Sequence, residues 1–98
     1  MNPTSLDIEF PAYQDAWAAG FNAIAGCGFG PGGFYVTEFS VGDVIRIAVK
    51  PGGTAGATTA VVSGLHQPNG FVAGPDGSIY VSDFSVSSGG GRVVQVNN

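Results

Sequence analysis

Short runs of apolar and polar residues alternate along the chain, separated by glycine-rich turns. Residues 79–84 alternate most clearly, and residues 93–96 do likewise. In a strand such an alternation points successive side chains to opposite faces of a sheet. Residues 71–73 are small and apolar, and residues 58–63 end just before Gly64. These runs have strand length and turn residues at their ends, so the pattern predicts an all-β chain of short antiparallel strands.

The turns have recognisable chemistry. The stretch "GPDG" at 74–77 places proline where a turn needs a fixed φ and ends on glycine. The stretch "GPGG" at 30–33 is its counterpart, and we expect Gly32 to take the positive φ of a type II turn. The triple glycine at 89–91 is followed by no helix pattern, so we interpret it as a hairpin loop rather than a phosphate-binding loop.

Most of the chain consists of two similar sequence repeats. Glycines at both ends of one segment, and Gly26 opposite Gly70 within it, fix an offset of 44 positions. Ser78 is an inserted residue, after which the offset is 45, and a longer loop then raises it to 49. The matched segments are 20–30 with 64–74, 35–40 with 80–85, and 42–47 with 91–96. The two repeats cover nearly the whole chain.

A strand-rich repeat of this length has the period of a propeller blade. We therefore predict two four-stranded antiparallel blades of a β-propeller, at 15–50 and 51–98, each opening with a strand (15–19 and 58–63). Residues 1–14 are expected to form a leading strand or linker. Within them, residues 6–10 alternate like a strand, which either completes a neighbouring sheet or is the remnant of a preceding blade.

The phrases "QPNGFVAGPDGSIYVSDFS" and "GGGRVVQV" resemble the blade phrase of NHL-type six-bladed propellers. That superfamily includes the gluconolactonase and strictosidine-synthase-like proteins. The phrases are most similar to the ScyD/ScyE-type propellers of scytonemin clusters. The resemblance covers both repeats and implies a six-bladed ring. The shared residues are mostly turn and core positions, so they specify architecture more than activity.

Two blades cannot close a ring, since propellers have four to eight and a repeat needs neighbours to bury its faces. The chain is therefore either a fragment of a longer propeller, whose missing blades are its partners, or a unit that assembles with itself head to tail. Three copies would give six blades, so a homotrimer is the preferred assembly.

Charge excludes some partners. The 98 residues include only 3 Lys and Arg against 7 Asp and Glu, for a net charge of -4. Because nucleic acids and anionic membranes are bound through clustered cations, neither is an expected partner. No apolar run is long enough for a membrane helix and the first ten residues do not resemble a signal peptide, so we expect a soluble chain. If the chain is a fragment, an exported parent, periplasmic or extracellular, is the alternative.

Asn69 is the sharpest polar candidate. The resemblance to gluconolactonase-like propellers implies that an Asn in an "NG" phrase helps to hold a divalent cation, such as calcium, over the central channel. Such a site needs carboxylates from other blades, and the first repeat has Ala25 at the matching position. The alternative, which the Asn-Gly dipeptide itself favours, is a turn-forming residue.

Three further side chains are candidates for ligand binding. Glu38 and Asp83 occupy the same position in the two repeats, where they either form a ring of cation ligands or cap a turn; the repetition favours capping. His66 is the only histidine and lies in the loop before the apolar strand predicted near residues 71–73, the inner strand of the blade. It could act as a general base or a ligand, and a polar loop residue is the favoured alternative. Cys27, the only cysteine, matches Phe71, so we expect it to be buried.

The sequence supports two functions. The first is a non-catalytic propeller module for binding or assembly, with a small-molecule ligand possible at the channel mouth. The second is part of a divalent-cation-dependent, lactonase-like hydrolase in which Asn69 is one metal ligand. Catalytic residues cannot be assigned from the sequence, and the module needs no cofactor.

Overall fold

The computed structural model describes residues 16–97, with Asn97 described in its backbone only. The leading strand predicted at 6–10 and the segment 1–14 lie outside the described residues. In the described part the chain forms antiparallel strands, as the alternation predicted. Residues 16–97 contain no helix that is long and apolar enough to cross a membrane.

Seven strands form two separate sheets. The first sheet contains β1 (Ile24–Gly30), β2 (Gly33–Glu38), β3 (Asp43–Val49) and β4 (Ala55–Val62), in that order. The second contains β5 (Pro68–Ala73), β6 (Ser78–Asp83) and β7 (Arg92–Asn97), again in chain order. Each strand therefore pairs with the strand that follows it, and this antiparallel pairing needs only short connections.

The predicted division of the chain places β4 in the wrong sheet. Residues 58–63 were expected to open the second blade, but β4 pairs with β3 at the edge of the first sheet. A tight turn joins them, in which Gly53 N–H donates to Lys50 O at 2.8 Å. Local hairpin pairing is the shortest route to satisfied backbone groups, so the sheets divide at 63–67 rather than after residue 50.

Two further predictions of strands need correction. The second sheet has three strands within the described residues, not four. Residues 16–19, predicted to be the first strand of the first repeat, form no strand. The turn prediction is confirmed: Gly32 has φ +83°. Gly77, which ends the corresponding turn of the second repeat, also has φ +83°.

The core lies between the two sheets. Tyr35 and Val44 of the first sheet and Ile79 and Val81 of the second are fully buried and form one cluster. Partly buried apolar side chains pack around them: Val61, Val62, Leu65, Phe71 and Val96. One face of each sheet is thus used inside the chain, and the opposite faces of both sheets point outward.

Candidate functional site

The two sheets meet where β1 lies beside β5. Gly26 lies so close to β5 that an added Cβ would come within 2.0 Å of Asn69 O. Two residues further on, Gly28 faces the ring of Phe71, which stacks on Tyr35 with ring centroids 4.9 Å apart and an interplanar angle of 15°. Because the neighbours of Gly26 precede those of Gly28 along β5, the two strands run in the same direction.

A buried hydroxyl joins the sheets at this contact. Thr37 Oγ1 accepts a hydrogen bond from Gly26 N–H at 2.8 Å and donates to Asn69 O at 3.0 Å. Thr37 is fully buried. The bridge satisfies a carbonyl that would otherwise lose its hydrogen bond to water when the sheets close.

Two buried carboxylates hold the loops that precede the inner strands. Glu38 Oε2 accepts from Asn22 N–H at 2.8 Å. Asp83 Oδ1 accepts from His66 N–H at 2.9 Å and from Gln67 N–H at 2.8 Å. Each acid therefore binds a loop far from it in sequence instead of the adjacent turn that the sequence suggested. Since β1 and β5 run in the same direction, the two capped loops lie at the same end of the molecule.

Asp83 is the more strongly held of the two acids. Its side chain is inaccessible to solvent, and its Oδ2 also accepts from Arg92 Nε at 3.0 Å. Burial raises the pKa of this carboxyl, but the two loop N–H groups and the Arg92 guanidinium together outweigh burial and lower it below the ordinary value of 3.8. The carboxylate is therefore charged at neutral pH and serves as an anchor for the loop.

The other predicted site residues lie near this anchor without forming a ligand cluster. His66 is exposed, and its backbone N–H rather than its ring bonds to Asp83. Asn69 is exposed within β5, where the pairing register shifts, so it lies in a strand and not in the turn expected from Asn-Gly. Within residues 16–97, no three His, Cys, Asp or Glu side chains lie close enough together to hold a metal ion.

The outward side of the first sheet, which we call outer face 1, is apolar. The side chains on this face include Cys27, Phe29, Phe34, Val36 and Ile47. Phe29 is 71% exposed. Cys27 is exposed as well, so its predicted burial is wrong for this chain: the side chain points outward, where the described residues leave it uncovered.

The segment before β1 lies on outer face 1. Trp17 packs edge-on against Phe34, with ring centroids 5.7 Å apart, and its Nε1–H donates to Gly53 O at 2.6 Å. Trp17 and Phe21 line one depression with Phe34 and Val36. This segment therefore covers part of outer face 1, where Val36 and Ile47 are buried, and leaves Cys27 and Phe29 exposed.

The outward side of the second sheet, outer face 2, is also largely apolar. A shallow open depression on it is lined by Gly70, Phe71, Val72, Tyr80, Ser82 and Val93. Val72 is 60% and Val93 is 73% exposed. The repeat alignment carries a sequence signal for this face, because it matches exposed Val93 to Val44, which is fully buried.

Contacts inside the two sheets recur at aligned positions. Ser82 Oγ accepts from Gly70 N–H at 2.8 Å, as Thr37 Oγ1 does from Gly26 N–H. Glu38 caps Asn22 as Asp83 caps His66, and the residues that align are Glu38 with Asp83 and Asn22 with His66. Phe39 N–H bonds to Ala23 O at 2.7 Å, and Phe84 N–H bonds to Gln67 O at 3.0 Å.

Comparison with protein-family models, curated proteins and solved structures finds no significant match. The function is therefore inferred from the residues and contacts of the chain itself.

Proposed function

We propose that this chain is a non-catalytic β-propeller module that joins further blades through its two outer faces. The observation that carries the proposal is the exposure of apolar side chains on both faces, among them Phe29 at 71% and Val93 at 73%. Contiguous apolar surface of this kind marks an interaction site in a soluble protein.

The recurrence of contacts supports the same function. Each sheet carries an acid-capped loop and a hydroxyl-to-glycine bond at aligned positions, which supports the interpretation of the two sheets as repeats of one unit. Repeat units of this kind are stable when stacked on neighbours, because one unit cannot bury both of its faces alone. In a ring, further blades would cover both outer faces.

The polar candidates fit a structural part in this module. Glu38 and Asp83 direct their carboxylates to backbone N–H groups of loops. These bonds use Oε2 of Glu38 and, together with the Arg92 bond, both oxygens of Asp83, which leaves Asp83 poorly placed to bind a cation. The described residues offer no observation that favours the cation-dependent hydrolase. A small-molecule site at the mouth of the assembled ring is compatible with the exposed positions of His66 and Asn69.

The proposal is tested by measuring the mass of the purified chain by light scattering together with the binding of a dye that fluoresces on apolar surface. We expect about three times the 9.8 kDa chain mass with weak dye binding, because closed rings hide the outer faces. A folded monomer with strong dye binding would mean that the blades come from a longer parent. A folded monomer without dye binding would contradict the proposal.

A further inference from the structure

We propose that outer face 2 of one copy packs on outer face 1 of a second copy, in the same register that joins the two sheets within the chain. This inference rests on the proposed function and identifies the partner as a second copy. In this register Val72 of one copy lies against Cys27 of the next. Such a contact is heterologous, with two different surfaces meeting, and it closes into a ring if the rotation allows.

The glycine on outer face 2 is the first argument. Gly26 has no Cβ because β5 passes directly over it, with Asn69 O at 2.0 Å from the ideal Cβ position. Its counterpart Gly70 does not have positive φ, and only Ser82 Oγ, at 3.0 Å, lies near its ideal Cβ position. Neither backbone conformation nor the approach of another strand within the described chain requires glycine there. A strand of a second copy passing over Gly70 does require it.

The paired hydroxyls give the second argument. Thr37 accepts from Gly26 and passes its own hydrogen to Asn69 O on the facing sheet. Ser82 accepts from Gly70 in the same way, on the surface of outer face 2. In the proposed register the facing carbonyl is that of Ala25 in the next copy, because Ala25 aligns with Asn69.

Side-chain sizes are complementary in this register. Within the chain, the large ring of Phe71 fills the space left by Gly28. Across the proposed contact, Cys27 takes the place of Phe71 and Val72 takes the place of Gly28. The pair of Phe71 and Gly28 combines one large side chain with none, whereas Cys27 and Val72 are both of intermediate size. The two pairs can therefore fill a similar space between two sheets at the same distance.

The residues around this pair are also matched. Tyr35 and Val44, which the second sheet buries completely, align with Tyr80 and Val93 on outer face 2. Ile79 and Val81, which cover them, align with Phe34 and Val36 on outer face 1. The four fully buried side chains of the internal contact thus each have an apolar or tyrosine counterpart in the proposed one. Val61 and Val62 of β4 have no counterpart on outer face 2, because the second sheet has no fourth strand within the described residues.

Disulfide trapping tests the register directly. In Val72→Cys, the new thiol of one copy would lie against native Cys27 of the next, within reach of a disulfide if the Cα atoms are less than about 7 Å apart. We expect mild oxidation to give a ladder on a non-reducing gel that stops at the ring size. The control is Val86→Cys, whose side chain is 87% exposed in the loop between β6 and β7. It should cross-link roughly tenfold more slowly, since its thiols meet only by diffusion.

Three results separate the inference from the proposed function. A reduced Val72→Cys protein that assembles by light scattering yet forms no ladder overturns the register while leaving assembly in place. Rapid Cys27–Cys27 dimers of the unmodified chain would show two copies of outer face 1 meeting, which also overturns it. A dye-binding monomer excludes the second copy as partner while keeping the faces as sites for other blades.

Gly70→Ala provides a second test that does not depend on thiol chemistry. Within the described chain the added methyl meets only the Ser82 hydroxyl, at 3.0 Å, and a small shift of that side chain accommodates it. We therefore expect an unchanged strand signal in circular dichroism. It would strike the backbone of a second copy, so the mass should fall to that of a monomer. Retention of the full assembly by Gly70→Ala would overturn the inference.

Discussion

At the scale of single residues, glycines allow close backbone contacts in this chain, because they have no side chain. Gly26, Gly33 and Gly42 each lie within about 2 Å, measured from an ideal Cβ, of a backbone oxygen on another strand or loop. Tight backbone contacts of this kind allow sheets to pack with few large side chains between them.

The first prediction concerns the closest of these contacts. Gly26→Ala would drive a methyl group into Asn69 O and push β5 away from β1. We expect the free energy of unfolding to fall by about 1–3 kcal/mol, the usual cost of overpacking, as measured by urea denaturation. Gly70→Ala, the aligned change, should leave the unfolding of the dissociated chain nearly unaltered. Equal losses in the two variants would contradict this account of Gly26.

The second prediction concerns Asp83. Because its pKa is lowered in the folded state, its stabilisation is fully present above its unfolded pKa of about 4 and is lost as pH falls through the folded value. Asp83→Asn should therefore cost about 1–3 kcal/mol at pH 7, where the buried amide replaces a charged acceptor. The difference from the parent chain should shrink below pH 4, as followed by chemical unfolding at several pH values.

Arg92→Gln is the matched control for this change. Arg92 is half exposed, so solvent screens its ion pair, and the loop N–H bonds to Asp83 remain in the variant. We expect Arg92→Gln to keep most of the pH dependence. If it removed that dependence as fully as Asp83→Asn does, the ion pair rather than the loop bonds would hold the carboxylate.

At the scale of the elements, the two sheets are joined by polar as well as apolar contacts. Tyr35 and Phe71 supply a stacked pair, and Thr37 supplies a hydroxyl bridge between β1, β2 and β5. The apolar contact gives most of the free energy, while the directional bonds fix how far along β1 the strand β5 lies. The bridge is therefore the feature that sets the register between sheets.

The third prediction tests the bridge. Thr37→Val keeps the shape of the side chain but leaves Gly26 N–H and Asn69 O without their partner. We expect a loss of about 1–3 kcal/mol in unfolding free energy for these buried groups, together with faster amide exchange at Gly26. Thr58→Val, an exposed change on β4, is the control and should alter neither measurement. A stability of Thr37→Val equal to that of the parent would show that the bridge adds nothing.

At the scale of the whole molecule, one face of each sheet packs into the core between the sheets, and the other face points outward. Among residues 16–97, the depressions on the two outer faces are lined by no charged side chain. The net charge of -4 is therefore borne elsewhere and does not oppose contact between the faces.

The fourth prediction uses two exposed valines. Val93 lies on outer face 2 at 73% exposure, and Val86 lies in a loop at 87% exposure. If outer face 2 packs on outer face 1 of a second copy, Val93→Asp would place a carboxylate in an apolar contact that includes Phe34. Burying that unpaired charge costs more free energy than the contact gains. We expect sedimentation velocity to show a monomer for Val93→Asp and the parent assembly for Val86→Asp. Identical sedimentation of both variants would remove outer face 2 from the interface.

Much of the local structure could be predicted because it depends on neighbours in sequence. Alternation gave β6 and β7, and the proline and glycine positions gave the turn at Gly32. Long-range choices could not be predicted: the pattern of residues 58–63 fits a strand in either sheet. Cys27 was expected to be buried because it aligns with Phe71, but burial depends on a covering sheet that the described chain supplies for one residue and not for the other.

The sequence alone determined the all-β class, the turn conformations and the positions that recur, because these follow from side-chain period, backbone φ and direct comparison of residues. Only the tertiary structure decided that β4 belongs to the first sheet, that Glu38 and Asp83 bind loops, and that Thr37 and Ser82 hold equivalent places on a buried and an open face. Those outcomes depend on which surfaces meet in space, and packing between distant segments sets that. The alignment of residues identifies equivalent positions; the fold determines which of them are covered.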